Sequence, residues 1–479
     1  MKKKRRLKKV SQYKKNQKPK HSVFWKTVIK NSKQTFVFDR ALLSDYLEGK
    51  GYKKLNNFGE IQVVQLVYNI VYIKAPMDVY NDVLEYIKLQ KDNVLRSCFI
   101  EQGENLLITR KAILGGLPEI ELNKYEDTKS LVKLFYSNKI VAIKADKIKF
   151  QSYNKFCNSN DYIFSDRLIN RSFLDSDNKQ CDFERFLRLS TNGGEHFLAI
   201  CTALGYLISS CKSPSLTKAV IITDIQSQLK NEAFGRSGKG LIVMALSYII
   251  NVVQYNGKVT DLTKDKFVFQ NVSISTSLIV LQDVNKSFLF ESLFSSLTDV
   301  LSIEKKHRDK VTIPYKYSPK IAITTNYTIP QETDSFKDRK YLLTLNNFFS
   351  ANNKPEQHFD KLLFDWTESE WARFDKFIIK CIQLFLTKGL IQYDSPELKL
   401  RKLMNMTSDE FVEIMDAEYN VLNEYWNIKD IAVRFELKSN DKNIKSKIVS
   451  EWMEFYALFR GYKINRRKSG GITKICFTS

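Results

Sequence analysis

An apolar strand that runs into a glycine turn, a lysine and a second apolar run constrains this chain more than any other feature. Ala219-Val-Ile-Ile-Thr-Asp is rich in β-branched residues, and Gly235-Arg-Ser-Gly-Lys-Gly240-Leu opens a run reading Leu241-Ile-Val-Met-Ala-Leu. This predicts strand, tight loop and helix. Backbone N–H groups of Gly235, Arg236, Ser237, Gly238, Lys239, Gly240 and Leu241 then turn inward to cradle phosphate oxygens, and the helix N-terminus adds its positive field. Lys239 is placed to reach the β- and γ-phosphates. The loop is irregular. Against G-x-x-x-x-G-K-[ST], Ala233 stands at the first glycine and Gly240 at the hydroxyl position.

Downstream, Ser277-Leu-Ile-Val-Leu-Gln-Asp283 reads as an apolar strand ending in a carboxylate, which would set an acid beside Mg²⁺ and the γ-phosphate. Lys320-Ile-Ala-Ile-Thr-Thr-Asn326 is another apolar strand, tipped by an amide able to orient an attacking water or sense the γ-phosphate. Arg339 then precedes the apolar run Tyr341-Leu-Leu-Thr-Leu. Strands alternating with helices over 219–345 predict a parallel sheet with nucleotide at the strand ends.

In these motifs the chain resembles superfamily 3 DNA helicases of the phage, plasmid and poxvirus primase-helicase type, a branch of the AAA+ ATPases. Asn326-Tyr-Thr-Ile-Pro330 and Phe364-Asp-Trp-Thr-Glu-Ser-Glu-Trp371 add to the likeness, which covers roughly residues 180–390. The resemblance implies an ATP- and Mg²⁺-dependent, ring-forming DNA helicase that translocates on single strands during phage or mobile-element replication. Lys239, Asp283, Asn326 and Arg339 would be its catalytic residues, with Asp283 and Gln282 on the metal side. Arg339 would reach into a neighbouring copy in a hexameric ring. Glu304-Lys-Lys-His-Arg-Asp309 lies where such helicases place a basic hairpin, so Lys305, Lys306, His307 and Arg308 would grip single-stranded DNA without reading sequence. A forked duplex as substrate, a separate primase as partner and the host bacterial cytoplasm as location follow from the same likeness.

The departures matter. The family has two consecutive acids where this chain has Gln282-Asp283, an Arg-Arg pair where it has Arg339-Lys340, and a hydroxyl where it has Gly240. A Gln carbonyl is a weaker Mg²⁺ ligand than a carboxylate, and glycine offers no side-chain oxygen. If Asp283 holds the second family position it polarises water; if it holds the first, the base is missing. Asp224, just before the loop, is a candidate replacement acid. A replication initiator or loader that binds ATP and barely hydrolyses it is the alternative function, and a packaging motor a weaker third.

At 479 residues the chain accommodates several domains. No run of eighteen apolar residues occurs, so neither a membrane span nor a secretory leader is expected. Seven cysteines without a C-x-x-C pair, and four histidines, predict reduced thiols rather than a zinc site. Of the net charge of +23, residues 1–20 carry eleven Lys or Arg and no acid. They read as a disordered basic arm attracted to nucleic acid.

The expected fold is α/β: a P-loop AAA+ core over 176–395, preceded by an N-terminal α/β accessory domain over 21–175 and followed by a winged-helix-like domain over 396–479. In the last, Arg466, Arg467 and Lys468 at a Gly-Gly turn would contact DNA phosphates. His196, inside His196-Phe-Leu-Ala-Ile-Cys, is expected to pack in a helix. Asp175-Ser-Asp177 is expected in a solvated loop, and the Trp371 to Phe385 stripe in a helix core.

Overall fold

The computed structural model describes residues 23–30, 32–58, 60–109, 112–120, 123–225, 236–259, 265–306, 310–327, 333–359, 361–394, 396–439, 444–469 and 472–479. The basic arm, Gly235, His307 and Arg308 lie outside them.

The centre is a five-stranded, wholly parallel sheet. Its order is Val252–Asn256, Leu278–Val284, Lys320–Thr325, Ala219–Asp224, Lys340–Leu345. Strands buried on both faces must be apolar throughout, which is why these runs do not alternate with polar residues. Side-chain direction still alternates. Val220, Ile222, Leu278, Val280, Ala322 and Leu343 join one apolar cluster with the helices Gly194–Ile208, Lys239–Ser247 and Glu368–Lys388. Ala219, Ile221, Ile279, Leu281, Ile321 and Ile323 join the opposite cluster, with Phe290, Leu297 and Phe336.

The first of these clusters also takes in Val132, Tyr136, Ile143 and Phe173, so one core runs across residue 175. The Val132–Tyr136 and Ile140–Ile143 strands pair antiparallel, and Ile148–Gln151 pairs antiparallel with Ile140–Ile143. Strands on either side of them in the chain form a mixed five-stranded sheet in the order Tyr52–Asn57, Glu60–Val67, Ile70–Ile73, Asp161–Phe164, Asn123–Lys124. The helices Arg40–Gly49, Pro76–Lys88 and Asn93–Glu104 share a separate apolar cluster. At the other end, helices Pro396–Met406, Asp409–Glu418, Ile428–Lys438 and Ser446–Arg460 precede an antiparallel sheet. Its two terminal strands were expected; Tyr425–Asn427, too short to register as a sequence pattern, pairs as a third.

Two expectations for single residues need comment. His196 is buried, with Nε2 2.7 Å from the Thr344 carbonyl oxygen and its ring stacked on Tyr393, as a packed helix residue should be. Asp177 is not merely solvated: Arg373 donates to both its oxygens at 2.7 Å and holds its carboxyl down at about 2. That fork anchors the 175–179 segment to the Glu368–Lys388 helix.

Where this helix crosses Gly194–Ile208 the backbones nearly touch. A Cβ on Gly205 would lie 2.5 Å from the Cys381 carbonyl oxygen and 2.7 Å from the Phe385 Cβ. Gly205→Ala must push the two helices apart and is expected to cost roughly 1–3 kcal/mol. Urea denaturation measures it, and an unchanged midpoint would contradict the close approach.

Candidate nucleotide site and basic surfaces

The connections of the central sheet create its crevice. After Asp224 the chain reappears at one edge of the sheet, in Val252–Asn256; after Thr325 it reappears at the other, in Lys340–Leu345. Ala219–Asp224 and Lys320–Thr325 are neighbours whose connections leave toward opposite edges, the switch point at which open α/β sheets place their ligand cleft.

Lys239 enters that cleft. It is the first residue of Lys239–Ser247 and is buried. Its ammonium donates to Asp224 Oδ2 at 2.7 Å, Asn326 Oδ1 at 2.7 Å and Ser237 Oγ at 3.1 Å. Three donors meet three acceptors, the count an ammonium requires. Asp224 has no exposed surface at all, so neither charge is solvated and each depends on the other.

Gly238 makes this geometry possible. Its φ of 92° is left-handed, and a Cβ there would come within 2.5 Å of the Phe186 ring. Arg236 also has positive φ, at 73°, and is exposed. Gly240 is different: a Cβ would meet nothing within 4 Å, so packing does not demand glycine at the position where a hydroxyl was expected. Leu241 is partly buried against the core.

The acidic strand departs from expectation. Asp283 is not at a strand end but inside Leu278–Val284, in an irregularity where register with the neighbouring strand shifts between Leu281 and Val284. Its φ is 52°, its N–H donates to Thr324 Oγ1 at 2.9 Å, and its side chain is exposed. Asp283 and Gln282 line an open pocket with Gln254, Tyr255, Asn256 and Lys258, and the Gln282 amide donates to Gln254. The bulge re-aims the carboxylate, as bulges do. Sequence cannot reveal such an extra residue in a run that is apolar up to it.

Mg²⁺ needs one or two carboxylates beside phosphate oxygens and waters. Asp224 and Asp283 are the acids that these strands offer. Among the described residues no cluster of three His, Cys, Asp or Glu suited to a metal occurs, so a dedicated protein cage is not what the donor set resembles.

Arg339 closes the short helix Asp334–Arg339, with its guanidinium 4.6 Å from the Phe294 ring centroid and Nη1 donating to the Ser335 carbonyl. Its buried Nε has no partner. Lys340 pairs in register with Ala219, and Leu345 with Asp224. Arg339 therefore sits at the amino ends of the parallel strands, roughly 16 Å of strand from the cleft. That is beyond an arginine's reach within one subunit.

Leu301–Ile303 and Val311–Ile313 pair antiparallel on either side of the expected basic run, of which 307–309 lie outside the described residues. Lys305, expected on DNA, instead forms a 2.8 Å ion pair with Glu60 of the N-terminal region, both side chains mostly buried. Lys306 is exposed. At the C-terminal turn the three expected cations also separate. Arg466 lies opposite the buried Ile475 and is ion-paired with Glu454. Arg467, exposed, lies directly opposite exposed Lys474, and Lys468, also exposed, opposite Thr473. Lys474 was not among the cations singled out in the sequence; its register opposite Arg467 places it beside them. Glu60 was missed, and Asp224 was named as an acid but not as the partner of Lys239; only folding brings them to Lys305 and Lys239.

No protein family and no curated protein matches the sequence. Among solved structures, the chain is similar to the NrS-1 C-terminal region in its A form (14% identity, 91% of this chain and 99% of that one, TM-score 0.43). A second apo structure of that region, residues 305–718, gives 13% identity over 92% and 99%, also at 0.43. JCV helicase bound to a thiazolopyridine ligand gives 16% identity over 50% and 61%, at 0.25. At such values these likenesses decide nothing about the site, and the strand order and side-chain geometry carry the reasoning.

The Lys239–Asp224 pair makes a stability prediction. Lys239→Ala removes the cation beside a buried carboxylate and Asp224→Ala the anion beside a buried ammonium, each expected to cost about 3 kcal/mol or more. The double variant should be destabilised by clearly less than the sum of the two. A urea double-mutant cycle measures this, and simple additivity would mean the charges are not coupled.

Proposed function

We propose that this chain is an ATP-hydrolysing DNA helicase of the superfamily 3 type, moving on single-stranded DNA as a ring of copies. The observation that carries the reading is the meeting of Lys239, Asn326 and Asp224 in the cleft between two neighbouring parallel strands. A glycine turn, a helix N-terminus, one buried cation, one amide and one acid are what phosphoryl transfer asks of a protein, which works by positioning and charge compensation. On binding, the 236–241 backbone takes the phosphates, Lys239 compensates the β/γ charge, and Asn326 orients water. Mg²⁺, which phosphate oxygens, water and a carboxylate such as Asp283 would hold, would supply further neutralisation.

Arg339 lies at the opposite end of the sheet from its own cleft, which supports the ring: in this reading its guanidinium serves a neighbour's γ-phosphate. Positive charge supports nucleic acid as the partner, with Lys306, Arg467, Lys468 and Lys474 exposed for phosphates. We read the C-terminal helices and three-stranded sheet as a winged helix that adds a duplex or partner contact near a fork. Gly240, and Gln282 with its amide bonded to Gln254, favour a second reading, an ATP-binding initiator or loader that turns nucleotide over slowly.

Phosphate-release assays with and without single-stranded DNA separate the two readings. The helicase predicts turnover that DNA stimulates and that Lys239→Ala abolishes. Arg339→Ala should bind nucleotide without turnover, and mixing it with Lys239→Ala should restore some activity. Nucleotide binding with no DNA stimulation would leave the loader, and parental turnover in Lys239→Ala would remove the site altogether.

For the C-terminal sheet, Arg467→Ala with Lys474→Ala should weaken duplex binding for all sequences alike. The slope of log K against log salt should fall by roughly 0.9 for each phosphate that is no longer neutralised. Arg466→Ala should change it less, because Glu454 already compensates that charge. The titration belongs in a chain lacking residues 1–20, and equal slopes for both variants would reject the division.

A further inference from the structure

We infer that Asp224, rather than Asp283, is the carboxylate that activates the attacking water in the Lys239 cleft. The inference rests on the nucleotide reading above and names the acid it left open. Asp283 is turned out by the irregularity in its strand, exposed, and lodged beside Gln254, Asn256 and Lys258. Asp224 ends the strand from which the phosphate loop departs, is fully buried, and lies 2.7 Å from the ammonium that would meet the phosphates. Asn326 touches the same ammonium at the same distance. One lysine thus holds both groups that a hydrolytic site needs, an acid and an amide.

Stability alone does not account for the arrangement. A buried ion pair is commonly replaceable by apolar side chains at no loss of stability. Here the charges stand at the carboxyl edge of an otherwise apolar strand, where the cleft opens.

The chemistry follows from exchange of partners. Lys239 has three donors and all are used without nucleotide. When phosphate oxygens take those donors, Asp224 and Asn326 lose a shared partner and turn to water at the γ-phosphate. The water oxygen bonds to the γ-phosphorus and its proton passes to the Asp224 carboxylate. The bond from γ-phosphorus to the β–γ bridging oxygen breaks, and its electron pair leaves on ADP. Without nucleotide, the same ion pair keeps the acid occupied, so the site is inactive until phosphate displaces it.

Asp224→Asn and Asp224→Glu are compared with Asp283→Asn, using fluorescent ATP for affinity and single-turnover phosphate release at saturating nucleotide for the chemical step. General-base removal is expected to slow that step about 100-fold or more. Asp224→Asn should therefore bind ATP at least as tightly as the parent, having lost a competitor for Lys239, yet fall by that factor. Asp224→Glu should recover part of the rate, and Asp283→Asn should lose less than Asp224→Asn. A rate loss in Asp224→Asn that merely tracks weakened binding makes the residue a clamp for Lys239 and overturns the inference. So does a larger loss in Asp283→Asn. If the parent chain binds no ATP, the nucleotide reading itself fails, and the affinity measurement shows that first.

Discussion

A parallel sheet covered on both faces leaves its polar chemistry nowhere to go but the strand ends. In this chain Ala219–Asp224 and Lys320–Thr325 are buried along their whole length, and each meets a polar group where it stops. The connections part in opposite directions between these two strands, so the ends form a cleft rather than a lid of loops. Lys239, carried in on a helix N-terminus, closes the cleft by pairing with Asp224 and Asn326. Burial of the two faces and assembly of the site are one constraint seen from two directions.

The same geometry divides labour between the two ends of the sheet. Groups at the carboxyl ends can meet nucleotide, while Arg339, at the amino end of the adjacent Lys340–Leu345 strand, cannot. Its guanidinium lies over Phe294, with one buried N–H unpartnered. A second subunit is the natural way to bring such a residue to a phosphate, and the ring hypothesis rests on this separation.

Charge tells a less direct story than composition suggests. The chain carries +23, yet two cations in conspicuous basic runs are already compensated by acids outside those runs. Glu60 holds Lys305, and Glu454 holds Arg466. A charge run shows where positive side chains are, but folding decides which remain available to phosphates. Lys474 illustrates the converse: isolated in sequence, it stands directly across from Arg467.

Much of the scaffold was legible from residues alone, because short-range patterns determine it. Apolar β-branched runs marked the central strands other than Val252–Asn256, i, i+3, i+4 spacing marked Glu368–Lys388, and the glycine turn marked the start of Lys239–Ser247. The lysine, the Asn-tipped strand and the packed His196 could also be named from local context. Other features depended on packing between distant segments. Asp224 could be offered only as one possible acid, since nothing local says that Lys239 will fold back onto it. Asp283 looked like a strand-end acid because an irregularity in pairing leaves no mark in an apolar run. The core that joins Tyr136 and Phe173 to the central sheet, and the acid that silences Lys305, arise from packing across long sequence separations. Periodicity and turn chemistry therefore determined which strands and helices form and which residues end them. Tertiary structure decided which charges meet, since ion pairing depends on distances that only the packed chain sets.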